Sequence, residues 1–254
     1  MKHPRFFVEP GACEQDLYTL SPEESHHATK VLRLKPGDAV ELFDGEGKTF
    51  SGTVIGPRSG RLEIQVNRGI ASPEGPSSAA SPRVTLAPCL IKPERMDLLI
   101  QKASELGVHA IAPLVSERTV VRLSAERLKA KSLRWQKIVS ESCKQCGRSV
   151  LPRILPAARF EDFIARADGY DMILLPTLAV PVSELRGALK GPRPKEVLAL
   201  IGPEGDFTPA EARLAVSRGA VPVSLGKLVL RSETASLYLL SALNFFFGEA
   251  SHDT

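Results

Sequence analysis

The chain has 254 residues, 43% hydrophobic and 24% charged, a globular balance that excludes collagen-like, coiled-coil and wholly disordered classes. Its length fits one large domain or two modest ones, no stretch reaches the ~18 consecutive apolar residues of a membrane helix, and four cysteines are too few and scattered for a disulfide framework. The net charge of +4 excludes nothing until it is located along the chain.

Met1-Lys2-His3-Pro4-Arg5-Phe6-Phe7 lacks the apolar run of a signal peptide, so a cytoplasmic protein with no membrane partner is expected. Short β-type runs follow at 39–43, 49–55 and 61–66, punctuated by Asp44-Gly45 and Gly56-Pro57. Several short strands with glycine-rich turns predict a small barrel. A helix over 23–32 interrupts them, with Ser21 as N-cap and Pro22 at its first position. Residues 72–82, beginning Ser72-Pro73-Glu74-Gly75-Pro76, carry no large apolar side chain and read as a linker. The division is therefore 1–71, linker 72–82, and 83–254.

Beyond the linker, strands alternate with helices. Strands are predicted at 84–90, 110–115, 172–175, 197–201 and 221–225, and helices at 94–106, 125–146, 160–167, 182–190, 208–219 and 234–247. Met96, Leu99, Ile100 and Ala103 mark the apolar face of the first helix; Leu128, Trp135, Ile138, Val139 and Ser142 mark that of the second. Thr208-Pro209-Ala210-Glu211 forms a capping box. Such alternation predicts an α/β domain with a parallel sheet covered on both faces. Between Arg118 and Arg159 lie eleven basic residues against Glu126 and Glu141, a net of +9 that leaves −5 for the rest. A solvated helix face accounts for such a run, and so does a polyanion partner whose phosphates it neutralises.

Two segments follow buried strands and precede helices: Ile201-Gly202-Pro203-Glu204-Gly205-Asp206, and Leu225 to Ala235 with Arg231-Ser232-Glu233 at its end. They fall at the carboxyl edge of the sheet, where α/β proteins bind ligands. Either could be an ordinary turn; together with Leu174-Leu175-Pro176 they make a three-walled pocket. Gly45-Glu46-Gly47-Lys48-Thr49 resembles the end of a P-loop, but Leu42 stands where that motif needs glycine. Cys143 and Cys146 form a single pair inside a predicted helix, which helix packing explains better than zinc, so no metal site is expected. His26 and His27 are read as surface residues, and Trp135 as a core anchor.

Several blocks carry a resemblance: His26-His27-Ala28-Thr29-Lys30-Val31-Leu32-Arg33, Lys102-Ala103-Ser104-Glu105-Leu106-Gly107, Gln145-Cys146-Gly147-Arg148, Ile201-Gly202-Pro203-Glu204-Gly205, Leu225-Gly226 and Leu230-Arg231-Ser232-Glu233-Thr234-Ala235. From end to end the chain resembles the small-subunit ribosomal RNA uridine-N3 methyltransferases of the SPOUT superfamily (the RsmE family). The resemblance implies a PUA-like N-terminal barrel that helps hold RNA, a C-terminal α/β domain with a trefoil knot, and a homodimer. It implies S-adenosyl-methionine as cofactor and small-subunit (16S) ribosomal RNA, free or in the assembled subunit, as partner. Carried over, the donor pocket comprises Leu175, Pro176, Ile201, Gly202, Pro203, Glu204, Gly205, Leu225, Gly226, Leu228, Leu230 and Arg231. Arg231, Glu233 and Glu204 are the candidates for catalysis, and Arg5, Arg33, Arg118 and Arg148 for RNA binding. The family usually has glycine where this chain has Asp206; if the position needs a positive φ, aspartate tolerates it better than most residues but at a cost. A SPOUT 2′-O-methyltransferase and a non-catalytic RNA-binding assembly factor are the rival functions.

Overall fold

The computed structural model describes residues 3–11, 13–14, 16–71, 81–121 and 124–248, so most of the expected linker lies outside the described residues. The chain forms two compact units, Met1–Ser78 with Ser140–Leu151, and Ala79–Val139 with Pro152–Thr254. The sequence division had placed 140–151 with the second domain.

The first unit contains β1 (Arg5–Phe7), β2 (Cys13–Glu14), β3 (Leu17–Thr19), α1 (Pro22–His26), β4 (Ala39–Phe43), β5 (Lys48–Arg58) and β6 (Arg61–Ala71). They make one six-stranded sheet in the order β1-β4-β5-β6-β3-β2, with β1 parallel to β4 and the other pairs antiparallel. Alternation does the sorting: Val40, Leu42, Leu62 and Ile64 are buried, and they share one core with Phe6 near one edge and Tyr18 near the other. A sheet whose two edges feed the same core is curled on itself. Gly56-Pro57, read as a break, lies within β5. A register shift between Val54 and Gly56 absorbs it, and the reversal comes at Ser59-Gly60, both at positive φ, as a two-residue hairpin turn demands. The helix expected over 23–32 is an α-helix only to His26 and widens into a π-helix over His27–Val31. There the Thr29 hydroxyl donates back to the Ser25 carbonyl at 2.7 Å, a bond that competes with regular helix geometry. Arg33 follows with φ 55°.

The second unit contains β7 (Arg83–Pro88), α2 (Pro93–Glu105), β8 (Ala110–Ile111), β9 (Leu114–Val115), the greater part of α3 (Ala125–Cys146), β10 (Arg153–Ile154), β11 (Ala158–Arg159) and α4 (Phe160–Ile164). After these come β12 (Met172–Pro176), β13 (Ser183–Glu184), α5 (Leu185–Ala188), β14 (Glu196–Ile201), α6 (Pro209–Ser217), β15 (Ala220–Ser224) and α7 (Ser232–Phe247). Seven strands form one sheet in the order β10-β8-β7-β14-β12-β15-β13, and every pairing in it is parallel. The expected α/β domain with a parallel sheet is therefore present. Leu198, Leu200, Ile173 and Leu175 from the central strands pack with Phe160, Phe207 and Ala212.

Three local readings change. The strand expected over 110–115 is two: β8 joins the large sheet and β9 pairs with β11, because Pro113 between them has no N–H for a ladder. The first residues of the helix expected over 182–190 instead extend along β15 as β13. On α3, Trp135, Val139 and Ser142 are buried as expected, but Leu128 and Ile138 are only half-buried. Among the described residues no helix is long and apolar enough to cross a membrane.

Candidate active site

The neighbouring order β14-β12-β15 sets the carboxyl ends of these three parallel strands side by side. The loops leaving them therefore converge at one edge, around a cavity of about 410 Å³. That volume suits a small-molecule ligand. Its walls carry Pro176 to Ala179 from the end of β12 onward, Ile201 to Phe207 from the end of β14, and Val223 to Gly226 with Leu228, Val229 and Leu230 from the end of β15.

Each loop has a local cause. The Asp206 N–H donates to the Pro203 carbonyl at 2.9 Å, closing a tight turn around Glu204 and Gly205. Asp206 itself sits at φ 58°, the left-handed conformation its place in the motif made a concern. Gly202, on the cavity wall, also makes room for the chain's own turn. A Cβ there would lie 3.0 Å from Asp206 Oδ1 and 3.1 Å from the Phe207 nitrogen. The buried Ser232 hydroxyl donates to the Gly202 carbonyl at 2.7 Å, tying this loop to the start of α7. Arg118 reaches in from the segment after β9 and donates from Nη1 to the Gly205 carbonyl at 2.8 Å.

That segment is anchored in turn. The Glu117 N–H donates to Glu211 Oε1 at 2.8 Å. Glu211 Oε2 accepts from the Thr208 N–H at 2.8 Å, completing the capping box that opens α6. Cys89, buried beside Ser116 and Thr119, has its thiol pushed up to about 12 by burial, which makes it a packing residue and not a nucleophile.

The structure brings together Pro176, Ile201, Gly202, Pro203, Glu204, Gly205, Leu225, Gly226, Leu228 and Leu230 on the cavity wall. Leu175 is fully buried in the core cluster instead, since successive strand residues face opposite ways. Arg231 is exposed at the N-cap of α7 and its side chain is outside the wall. Glu204 and Glu233 share a cation that the sequence reading missed. Arg95 of α2 lies 3.7 Å from Glu204 Oε1 through Nη1 and 3.7 Å from Glu233 Oε1 through Nε. Glu233 is 9% exposed, and its buried Oε2 has no hydrogen-bond partner among the described residues. Thr177, Leu178, Ala179, Asp206, Val229 and Ser232 also line the cavity. The hydroxyl-bearing residues flanking two strongly marked loops were the available signal for Thr177 and Ser232.

The four arginines expected at RNA are unlike one another. Arg5 is a structural cation: its side chain is 5% exposed, Nε donates to Glu41 at 2.8 Å and Nη1 to the Cys143 carbonyl at 3.0 Å, with Phe43 beneath the guanidinium. Arg118 is exposed but engaged with Gly205, Arg148 is half-buried, and Arg33 is exposed.

Two family models match, an RNA methyltransferase domain over residues 79–244 and an RNA methyltransferase PUA domain over 20–67. Ribosomal RNA small subunit methyltransferase E of Buchnera aphidicola (from Acyrthosiphon pisum) is 31% identical over 98% of this chain and 95% of its own length. The protein of the same name from Bacillus subtilis is 30% identical over 95% and 96%. Among solved structures, ribosomal RNA small subunit methyltransferase E of Neisseria gonorrhoeae, bound to S-adenosyl methionine, superposes with a TM-score of 0.80 at 29% identity, covering 96% of this chain and 98% of that one. A Legionella pneumophila protein solved with bound SAM reaches 0.84 at 30% identity with the same coverage. With its PUA module, its parallel sheet and a ligand-sized cavity at the sheet's carboxyl edge, the chain belongs to the ribosomal RNA small subunit methyltransferase E family.

Proposed function

We propose that the chain methylates N3 of a uridine in small-subunit ribosomal RNA, with S-adenosyl-methionine as methyl donor, in the cytoplasm and as a homodimer. The observation that carries this reading is the cavity walled by the loops after β12, β14 and β15. The residues present fit the donor: Ile201, Leu225, Leu228 and Leu230 supply apolar cover for an adenine, and the turn from Pro203 to Asp206 brings backbone close. The trefoil knot and the assignment of 1–71 and 83–254 as RNA-binding and methyltransferase domains belong to the same reading.

Bound there, S-adenosyl-methionine supplies a methyl group already activated on a sulfonium. The chain's own part is alignment and proton removal. The uracil N3–H proton passes to a carboxylate as the N3–carbon bond forms and the sulfur–carbon bond breaks. Glu204 is the acceptor proposed, its support being its position on the cavity wall beside Arg95; Glu233 shares the same arginine. Arg231, exposed and between the wall residues Leu230 and Ser232, is the cation assigned to the negative charge that develops on the uracil oxygens. On the barrel, exposed Lys30 and Arg33 suit RNA phosphates, and on the second unit exposed Arg127 and Lys129 of α3 do so independently. Arg5 has no part in it. Tyr238, Phe245 and Phe246 of α7 remain exposed, Phe245 at 92%, and suit a homodimer face; a monomeric mass in light scattering would contradict that.

Nucleoside mass spectrometry of ribosomal RNA from a deletion strain tests the reaction. Loss of 3-methyluridine supports it, and loss of a 2′-O-methyl nucleoside assigns the chain to ribose methylation. Absence of S-adenosyl-methionine binding in calorimetry would leave a non-catalytic assembly factor.

A further inference from the structure

Asp206 is the wall residue whose side chain does most within the cavity's own framework. Its Oδ2 accepts from the Thr177 hydroxyl at 2.9 Å and from the Leu178 N–H at 2.6 Å. Its Oδ1 accepts from the Phe207 N–H at 2.7 Å. The Thr177 hydroxyl also accepts from the Ala179 N–H at 3.1 Å, so the order imposed by one carboxylate extends across Thr177 to Ala179. Leu178, at the head of this loop, is 71% exposed, while Ala179 and Val180 after it pack on the core. Hydrogen bonds to an ionised acceptor are among the stronger ones available, and they offset a left-handed conformation that costs any residue carrying a Cβ. Gly202 fits against the same side chain at a distance that leaves no space for a methyl group.

We propose that Asp206 is a positioning residue for the methyl donor: its carboxylate latches the loop after β12 to the loop after β14, so that two of the three walls of the cavity are held in one arrangement before the donor arrives. The inference rests on the reading of the cavity as the donor site. A glycine in this place would follow the backbone without strain and leave the two loops unlinked. A pre-set wall spares the donor the ordering of that loop on binding, and the gain appears as affinity.

The test uses the full chain with S-adenosyl-methionine as ligand. Calorimetry and steady-state methylation are run on the wild type, D206G, D206A, D206N, T177V and the double variant T177V/D206A, with thermal melts to verify folding. Loss of a charged acceptor predicts donor affinity weakened about tenfold in D206G and D206A. D206N, which keeps one acceptor oxygen, falls between them and the wild type. The loss lies mainly in KM for the donor, with a smaller fall in kcat and no change in KM for RNA. T177V weakens binding too, and the double variant loses less than the sum of the two single losses, because both remove the bond between Thr177 and Asp206. Wild-type affinity in D206G and D206A, or full additivity of the double variant, overturns the latch while leaving the donor site in place. A wild-type chain that takes up no donor overturns both.

Discussion

Replacing Glu211 with alanine probes how the cavity is held from beneath. The side chain is 4% exposed, and its carboxylate accepts from the Thr208 N–H, the Thr208 hydroxyl and the Glu117 N–H. In E211A the Thr208 N–H is left buried without an acceptor, a cost of about 1–3 kcal/mol. The other half of the capping box, the Thr208 hydroxyl accepting from the Glu211 backbone N–H, survives the substitution, and the Glu117 N–H, at an exposed residue, recovers water. The cost is about 2 kcal/mol, and for a domain of this size about 2–4 °C per kcal/mol gives a melting temperature lowered by roughly 4–8 °C. Differential scanning calorimetry of E211A and E211Q measures it, with the glutamine variant, which keeps an acceptor, losing less than half as much. Donor affinity falls as well, because the segment that carries Arg118 to the Gly205 carbonyl loses its anchor. A melting temperature within 2 °C of the wild type would refute the reasoning, since a buried three-bond acceptor cannot then be what fastens this segment.

In G202A the new methyl group meets Asp206 Oδ1 and the Phe207 nitrogen at 3.0–3.1 Å, so the turn shifts at a cost of about 1–3 kcal/mol; calorimetry should show donor affinity at least tenfold weaker. R231A should lower methylation about a hundredfold with an unchanged melting temperature, because the side chain is exposed and outside the cavity wall; near-normal turnover removes Arg231 from the mechanism. Backbone N–H groups of Glu196 and Lys195 hold the Asp171 carboxyl below its ordinary 3.8. A depressed folded value means the contribution is present above the unfolded pKa and is lost as pH falls through the folded one. Thermal melts below pH 4 should therefore fall less steeply for D171N than for the wild type.

What the sequence reveals of this molecule is what local chemistry encodes. Apolar runs such as Val197 to Ile201, the Thr208–Glu211 capping box and the Gly202-Pro203-Glu204-Gly205 turn each carry their instructions within a few residues, so the sheet's alternation and two of the three loops were readable. Partners far apart in the chain were not. Nothing around Arg5 announces that Glu41 and the Cys143 carbonyl will consume its charge. Nothing around Arg95 announces that it will lie between Glu204 and Glu233. Leu175 and Pro176 show how narrow the margin is: the pleat sends one to the core and its neighbour to the cavity. Asp206 looked like a departure to be tolerated, because the hydroxyl and amide that reward it belong to residues 177 and 178.

The strand order also dictates when the site can exist. β12 lies between β14 and β15, so the third wall is missing until Ala220–Ser224 has added to the sheet. A nascent chain released before that strand, or a fragment truncated ahead of it, holds most of the residues named here and no enclosed cavity. Domains form from the N-terminus during synthesis, and pairings between distant segments are late to form. Occupancy of the cavity by a small molecule is thus a report that synthesis has passed its final strand and that the sheet is complete.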